Sequence, residues 1–199
     1  MKFILGKKIE MSQMYNEEKE VIPVTLIQVG PCQVTQLKSE GNDNYQAVQI
    51  GYEKITKENK KKKTMKGKEF KYLKEFRPES IQDIKVGDEI NISVFEEGES
   101  VKISGMSKGK GFQGGVKRHG FHGRDATHGV KHEQRTIGSV GCRYPQRVIK
   151  GRRMPGRMGY DRVTVSNLKI IKIDKENNIM AVRGAVPGRR GTLLEIKTY

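Results

Sequence analysis

Within Val101-Lys102-Ile103-Ser104-Gly105-Met106-Ser107-Lys108-Gly109-Lys110-Gly111-Phe112 the chain changes its manner of construction. Val101 and Ile103 alternate with polar neighbours, the period-two signature of a half-buried strand. From Met106 to Tyr160 neither that period nor the helical 3.6 survives. Twelve of the 23 glycines fall in this segment. So do thirteen Lys and Arg, which face only Asp125 and Glu133 and leave a local charge of +11 out of the total +16. All four histidines are here too. Glycine raises the entropy cost of ordering and each cation resists burial, so the segment has no apolar means of holding its own shape. A loop this long inside a compact domain implies a function.

Outward in both directions the sequence reads as strands. Residues 1–53 are read as β structure: Val21 to Val29 is β-branched, Cys32 to Leu37 alternates, Gly41-Asn42-Asp43-Asn44 turns, and Tyr45 to Tyr52 returns. Val86 to Phe95 is read as a strand with Ile90, Ile92 and Val94 on one face, after a short helical turn at Pro78-Glu79-Ser80. Beyond the central segment, Val163 and Val165 alternate and Leu168 to Ile173 gives a further strand. Glu176-Asn177-Asn178 turns into Ile179 to Val182, and Leu193, Leu194 and Ile196 close the chain. Many short strands without long helices predict a mostly β protein, a barrel or sandwich. The expected division is a barrel formed by 1–105 and 161–199, with an arm at 106–160 that leaves and re-enters at neighbouring strands. A Lys-rich insertion at about 54–76 is expected as a loose helix or solvated loop, with its Lys60–Lys63 run either an exposed charged face or a phosphate contact.

The 199 residues carry 39 Lys and Arg against 23 Asp and Glu, an excess that draws polyanions, nucleic acid foremost. Cys32 and Cys142 form no close pair, which suits a reducing cytosol. No apolar run approaches the ~18 residues of a membrane span, and a cytoplasmic protein without a membrane partner is expected.

In the central segment glycine allows close backbone approach to phosphates, and Arg offers a planar fork that also stacks on bases. His119, Phe121, His122 and Tyr144 are flat groups suited to unpaired bases. The residues expected to contact RNA are Lys108, Lys110, Lys117, Arg118, Arg124, His128, Arg135, Arg143, Lys150, Arg152, Arg153 and Arg157. Other motifs fall short of their chemistry. Gly109-Lys110-Gly111-Phe112-Gln113-Gly114 fits the dinucleotide spacing but lacks the helix and the acidic ribose ligand that must follow. The histidines with Cys142 have no close Cys pair and too many cations around them for a zinc site. No base can be assigned to Cys142 as a nucleophile. No cofactor, metal, small-molecule substrate or enzymatic activity is expected.

Several blocks resemble one family. Ser107-Lys108-Gly109-Lys110-Gly111-Phe112, Gly115-Val116-Lys117-Arg118, Asp125-Ala126-Thr127-His128-Gly129 and Gly138-Ser139-Val140-Gly141 are similar to bacterial large-subunit ribosomal protein L3. Lys150 to Gly159, Arg162-Val163-Thr164-Val165 and Val182 to Gly188 extend the likeness. Weaker similarity at Gly6-Lys7-Lys8-Ile9 and Ile22-Pro23-Val24-Thr25 carries it over nearly the whole chain. The resemblance implies a translation-factor-type β-barrel with a long irregular Gly/Arg-rich extension. It implies direct binding to large-subunit (23S) rRNA, a part in early assembly, contacts with neighbouring large-subunit proteins, and an arm reaching toward the peptidyl-transferase centre without catalytic groups. Glu10 and Ser12 depart from the family's N-terminal G-x-K-x-G-M-T pattern. Cys142-Arg143-Tyr144-Pro145-Gln146-Arg147 is one residue shorter than the stretch that carries a methylated Gln in some relatives, so that modification is not expected. Two rival readings are a free-standing RNA chaperone and a metal enzyme built on the histidines.

Overall fold

A computed structural model describes residues 2–16, 18–57, 61, 63–65, 67–78 and 84–198. Glu79 and Ser80 of the proposed turn, and Lys60 and Lys62 of the Lys60–Lys63 run, lie outside the described residues; Lys61 pairs with Glu69 at 2.6 Å, and Lys63–Met65 is a 3-10 turn. The chain divides into two compact units, one of residues 1–106 and 162–199 and one of Ser107–Asp161.

The first unit is built on a closed six-stranded antiparallel barrel. Its strands are β1 (Phe3–Tyr15), β2 (Val21–Val29), β7 (Ser100–Met106), β10 (Arg162–Asp174), β11 (Ile179–Arg183) and β12 (Leu193–Thr198), in the order β1-β12-β7-β10-β11-β2. Closure removes the open sheet edges that would otherwise pair with other chains. Ile4, Leu5, Ile27, Val29, Ile103, Ile170, Met180, Leu194 and Ile196 are fully buried, mostly at alternate positions that face inward. Lys8 is buried with them, and its ammonium donates to the carbonyls of Val186 (2.9 Å) and Gly188 (3.2 Å), tying the loop before β12 to β1. Where the family pattern is broken near Glu10, β1 bulges between Lys8 and Glu10, and Glu10 accepts from Arg190 at 3.0 Å.

The barrel does not use all of 1–105. A second sheet, β5-β4-β3-β6, is formed by β3 (Cys32–Lys38), β4 (Ala47–Lys54), β5 (Phe70–Phe76) and β6 (Glu89–Ile90), with a one-turn helix, α1 (Glu40–Asp43), between β3 and β4. Phe76 stacks on Phe3 of the barrel, ring centroids 4.7 Å apart, so the two sheets share one core. Expected loop or loose helix at 70–76 is therefore a strand: Phe70 and Phe76 are buried and Tyr72 half-buried, in register with β4. Gly51 makes room for it. A methyl group there would lie 2.4 Å from the Phe70 ring.

Two other expectations change. Val86 to Phe95 is not one strand; only Glu89–Ile90 pairs, and Ile92–Val94 is a 3-10 turn. Ile92 and Phe95, three apart, are buried while Val94 faces out, the spacing of such a turn rather than of a strand. The two strands read at Val163–Val165 and Leu168–Ile173 are one, β10, interrupted by a bulge opposite β7 with Asn167 at φ 57°. β7 and β10, which lead into and out of residues 107–161, are paired neighbours with Arg162 opposite Met106.

Candidate nucleic-acid interface

The unit Ser107–Asp161 is held by backbone more than by a core. Ser107 N donates to Asp161 O (2.9 Å), and Asp161 N donates to Ser107 Oγ (3.1 Å). Next come β8 (Gly111–Gln113) and β9 (Gly156–Met158), paired from Gly111↔Met158 to Gln113↔Gly156. A five-residue helix, α2 (Gly115–His119), follows and ends at Gly120 in the left-handed region. These short elements left no trace in a sequence that shows neither a two-residue nor a 3.6-residue period over 106–160. Their physical basis is small: Gly115, its buried residue, lets Ile137 and Phe121 pack directly on the backbone. Everything else in 107–161 is half-buried or exposed.

Of the twelve residues expected to touch RNA, eleven are exposed: Lys108, Lys110, Lys117, Arg124, His128, Arg135, Arg143, Lys150, Arg152, Arg153 and Arg157. Arg118 differs. Its Nη1 donates to Met154 O at 2.7 Å and its guanidinium lies against Gly156, so it clamps α2 to β9. Lys108, Lys110 and Arg157 flank the β8–β9 ladder, and the Arg157 guanidinium stands 5.1 Å from the Tyr160 ring. Arg152 donates to Ser139 O (2.7 Å), which fixes it beside the loop containing Arg143. Arg124 pairs with Glu133 at 2.5 Å, so one of the few acids of the segment is already matched. His128 has φ 58° in an exposed turn, and Arg135 lies beside Arg124, where Arg124 N donates to Gln134 O at 3.0 Å and a Cβ on Gly123 would stand 3.8 Å from Arg135 Cα.

The aromatic expectation changes in part. His119 and Phe121 are half-buried and tilted against each other at 5.9 Å, and His119 Nε2 donates to Met154 O at 3.1 Å. Tyr144 is exposed (73%). Phe112 (76%) and Tyr160 (59%) are exposed as well and were missed. The available signal was their isolation among Gly and Lys, where no apolar partner exists to bury them. Among the described residues no group of three His, Cys, Asp or Glu side chains comes together, and no helix is long and apolar enough to cross a membrane.

Outside this unit the titrating groups belong to the scaffold. Burial opposes ionisation of Glu195, but hydrogen bonds from Arg162 and Lys74 outweigh it and hold the carboxyl below its ordinary range. Burial pushes the Cys32 thiol up to about 12, and the thiol donates to Leu5 O at 3.6 Å.

A family model described as Ribosomal protein L3 matches residues 75–186. Proteins named large ribosomal subunit protein uL3 align along nearly the whole chain. The one from Carboxydothermus hydrogenoformans is 48% identical over 98% of this chain and 96% of the relative. That from Thermosipho africanus is 47% identical over 100% and 98%, and that from Pelotomaculum thermopropionicum 44% over 98% and 96%. The chain belongs to the ribosomal protein L3 family. L3 proteins are structural constituents of the large ribosomal subunit and not enzymes, so Cys142 and the histidines need no catalytic role. Within the L3 match lies all of Ser107–Asp161, together with β7, β10 and β11 of the barrel.

Proposed function

We propose that the Ser107–Asp161 unit binds large-subunit rRNA directly and that the barrel, of the translation-factor type, carries it as a Gly/Arg-rich extension. The observation that supports this best is the charge of the segment: thirteen cations against Asp125 and Glu133 over residues 106–160, nearly all exposed. A protein surface with that imbalance repels itself, and RNA phosphates relieve the repulsion with release of counterions. Exposed Phe112, Tyr144 and Tyr160 add stacking faces between the charges. The RNA-contacting set is Lys108, Lys110, Lys117, Arg124, His128, Arg135, Arg143, Lys150, Arg152, Arg153 and Arg157, with Arg118 positioning α2. The arm reaches toward the peptidyl-transferase centre, the barrel meets neighbouring large-subunit proteins, and binding takes place early in assembly in the cytoplasm.

The test is binding of the full chain to a large-subunit rRNA fragment across a salt series. Each phosphate contact contributes roughly −0.7 to the log–log slope on single strands. Arg152→Ala/Arg153→Ala together should weaken binding and flatten the slope by about 1 to 1.5. An unchanged slope would remove both residues from the interface.

A further inference from the structure

A cleft of about 500 Å³ opens within the Ser107–Asp161 unit, between residues 119–124 on one side and 136–138 on the other. The residues lining it include the aromatic His119, Phe121 and His122, the apolar Ile137, and the cations Arg124 and Arg153. No carboxylate lines it. The hollows of the first unit differ: both that at Lys54–Lys71 and that at Gln28–Phe70 include Glu53.

The walls are fixed by contacts of their own. His119 is anchored on Met154 O, Phe121 and Ile137 pack on Gly115, and Arg124 N donates to Gln134 O at 3.0 Å. Gly123, at φ 76°, brings the two walls together; a Cβ there would stand 2.1 Å from Gln134 O. Glu133 is matched to Arg124, while Arg153 makes no ion pair among the described residues. The cleft therefore has an aromatic and apolar interior and an uncommitted cation. Its size falls within the range of clefts that hold small ligands.

We propose that this cleft receives one unstacked nucleotide of an RNA strand, its base among the His122, Phe121 and Ile137 side chains and its phosphate at Arg153. The inference rests on the RNA-binding reading above and adds a position where that RNA must be splayed open. A flat base suits the rings, since every base offers a π-face, and an anion suits a lining without acids. A double-stranded segment does not fit, because stacking leaves no base free to enter.

The test is an NMR titration of the full chain at low salt with 5′-AMP and, separately, with ribose 5-phosphate. The expected result is saturable movement of the His122 ring and Ile137 methyl signals, with the nucleotide bound about fivefold or more tighter than the base-less sugar phosphate. His122→Ala, a change at an exposed side chain, should erase that ratio. Arg153→Gln should weaken both ligands alike, and Lys175→Gln, at an exposed hairpin turn of the first unit, should leave the ratio in place. Equal binding of the two ligands, or a ratio untouched by His122→Ala, overturns the proposal. If a short single-stranded RNA still binds in that case, the RNA reading stands and only the cleft is lost. If the RNA fails too, both fall.

Discussion

Glu195 sits on β12 between Arg162 on β10 and Lys74 on β5, with Lys74 at 3.1 Å. It links the barrel to the second sheet. Because its folded pKa lies below the ordinary carboxylate value, its contribution is full above that value and disappears as pH falls through the folded one. Glu195→Gln should therefore destabilise the protein by roughly 1–3 kcal/mol near neutral pH. Urea unfolding should show the gap narrowing toward pH 3. A constant gap across that range would mean the charge plays no part. The two thiols separate as sharply. Cys32 is buried and its thiol stays protonated, whereas Cys142 is exposed. Alkylation at pH 8 should label Cys142 in the native protein and Cys32 only after denaturation. Mass spectrometry of the labelled peptides reads the result.

At the scale of elements, β5 is the informative case. Its Lys71, Lys74 and the cations just before it made 54–76 look like solvated chain, and the period-two placement of Phe70, Tyr72 and Phe76 was hidden among them. Phe76→Ala should cost about 3–5 kcal/mol in unfolding free energy, because it empties a stacked position in a shared core. A solvated loop would tolerate the change with almost no cost. Val101–Ile103 was legible because one face is wet and the other buried, and Ile179–Val182 because a continuous apolar run, with Met180, Ala181 and Val182 all buried, follows a turn. The Ile92–Phe95 turn was not, since Ile90, Ile92 and Val94 alternate as a strand would and mask the three-residue step from Ile92 to Phe95. Bulges at Lys8–Glu10 and Val165–Leu168 leave no mark in composition, and sequence reading cut β10 in two at the second. Within the candidate interface, charge and glycine marked the segment and its exposed cations. The inward roles of Arg118, His119 and Phe121 depend on a single carbonyl, Met154 O, and on the bare backbone of Gly115, which no local pattern announces.

For the molecule as a whole, the two units separate tasks that conflict in one body. Apolar burial in the first supplies stability, and the second can then remain polar and cationic, as RNA requires. In sucrose gradients of native extract the polypeptide should travel with large subunits, and a free-standing chaperone would instead remain near the top. The barrel's closing seam has a temporal side as well. Phe3 on β1 meets Lys197 on β12, so a strand made before residues 107–161 waits for one made after them. During synthesis the cationic residues 107–161 leave the ribosome before that seam can form. A nascent chain thus presents its polyanion-seeking part while its scaffold is still open, and whichever RNA lies nearest has the first opportunity to engage it.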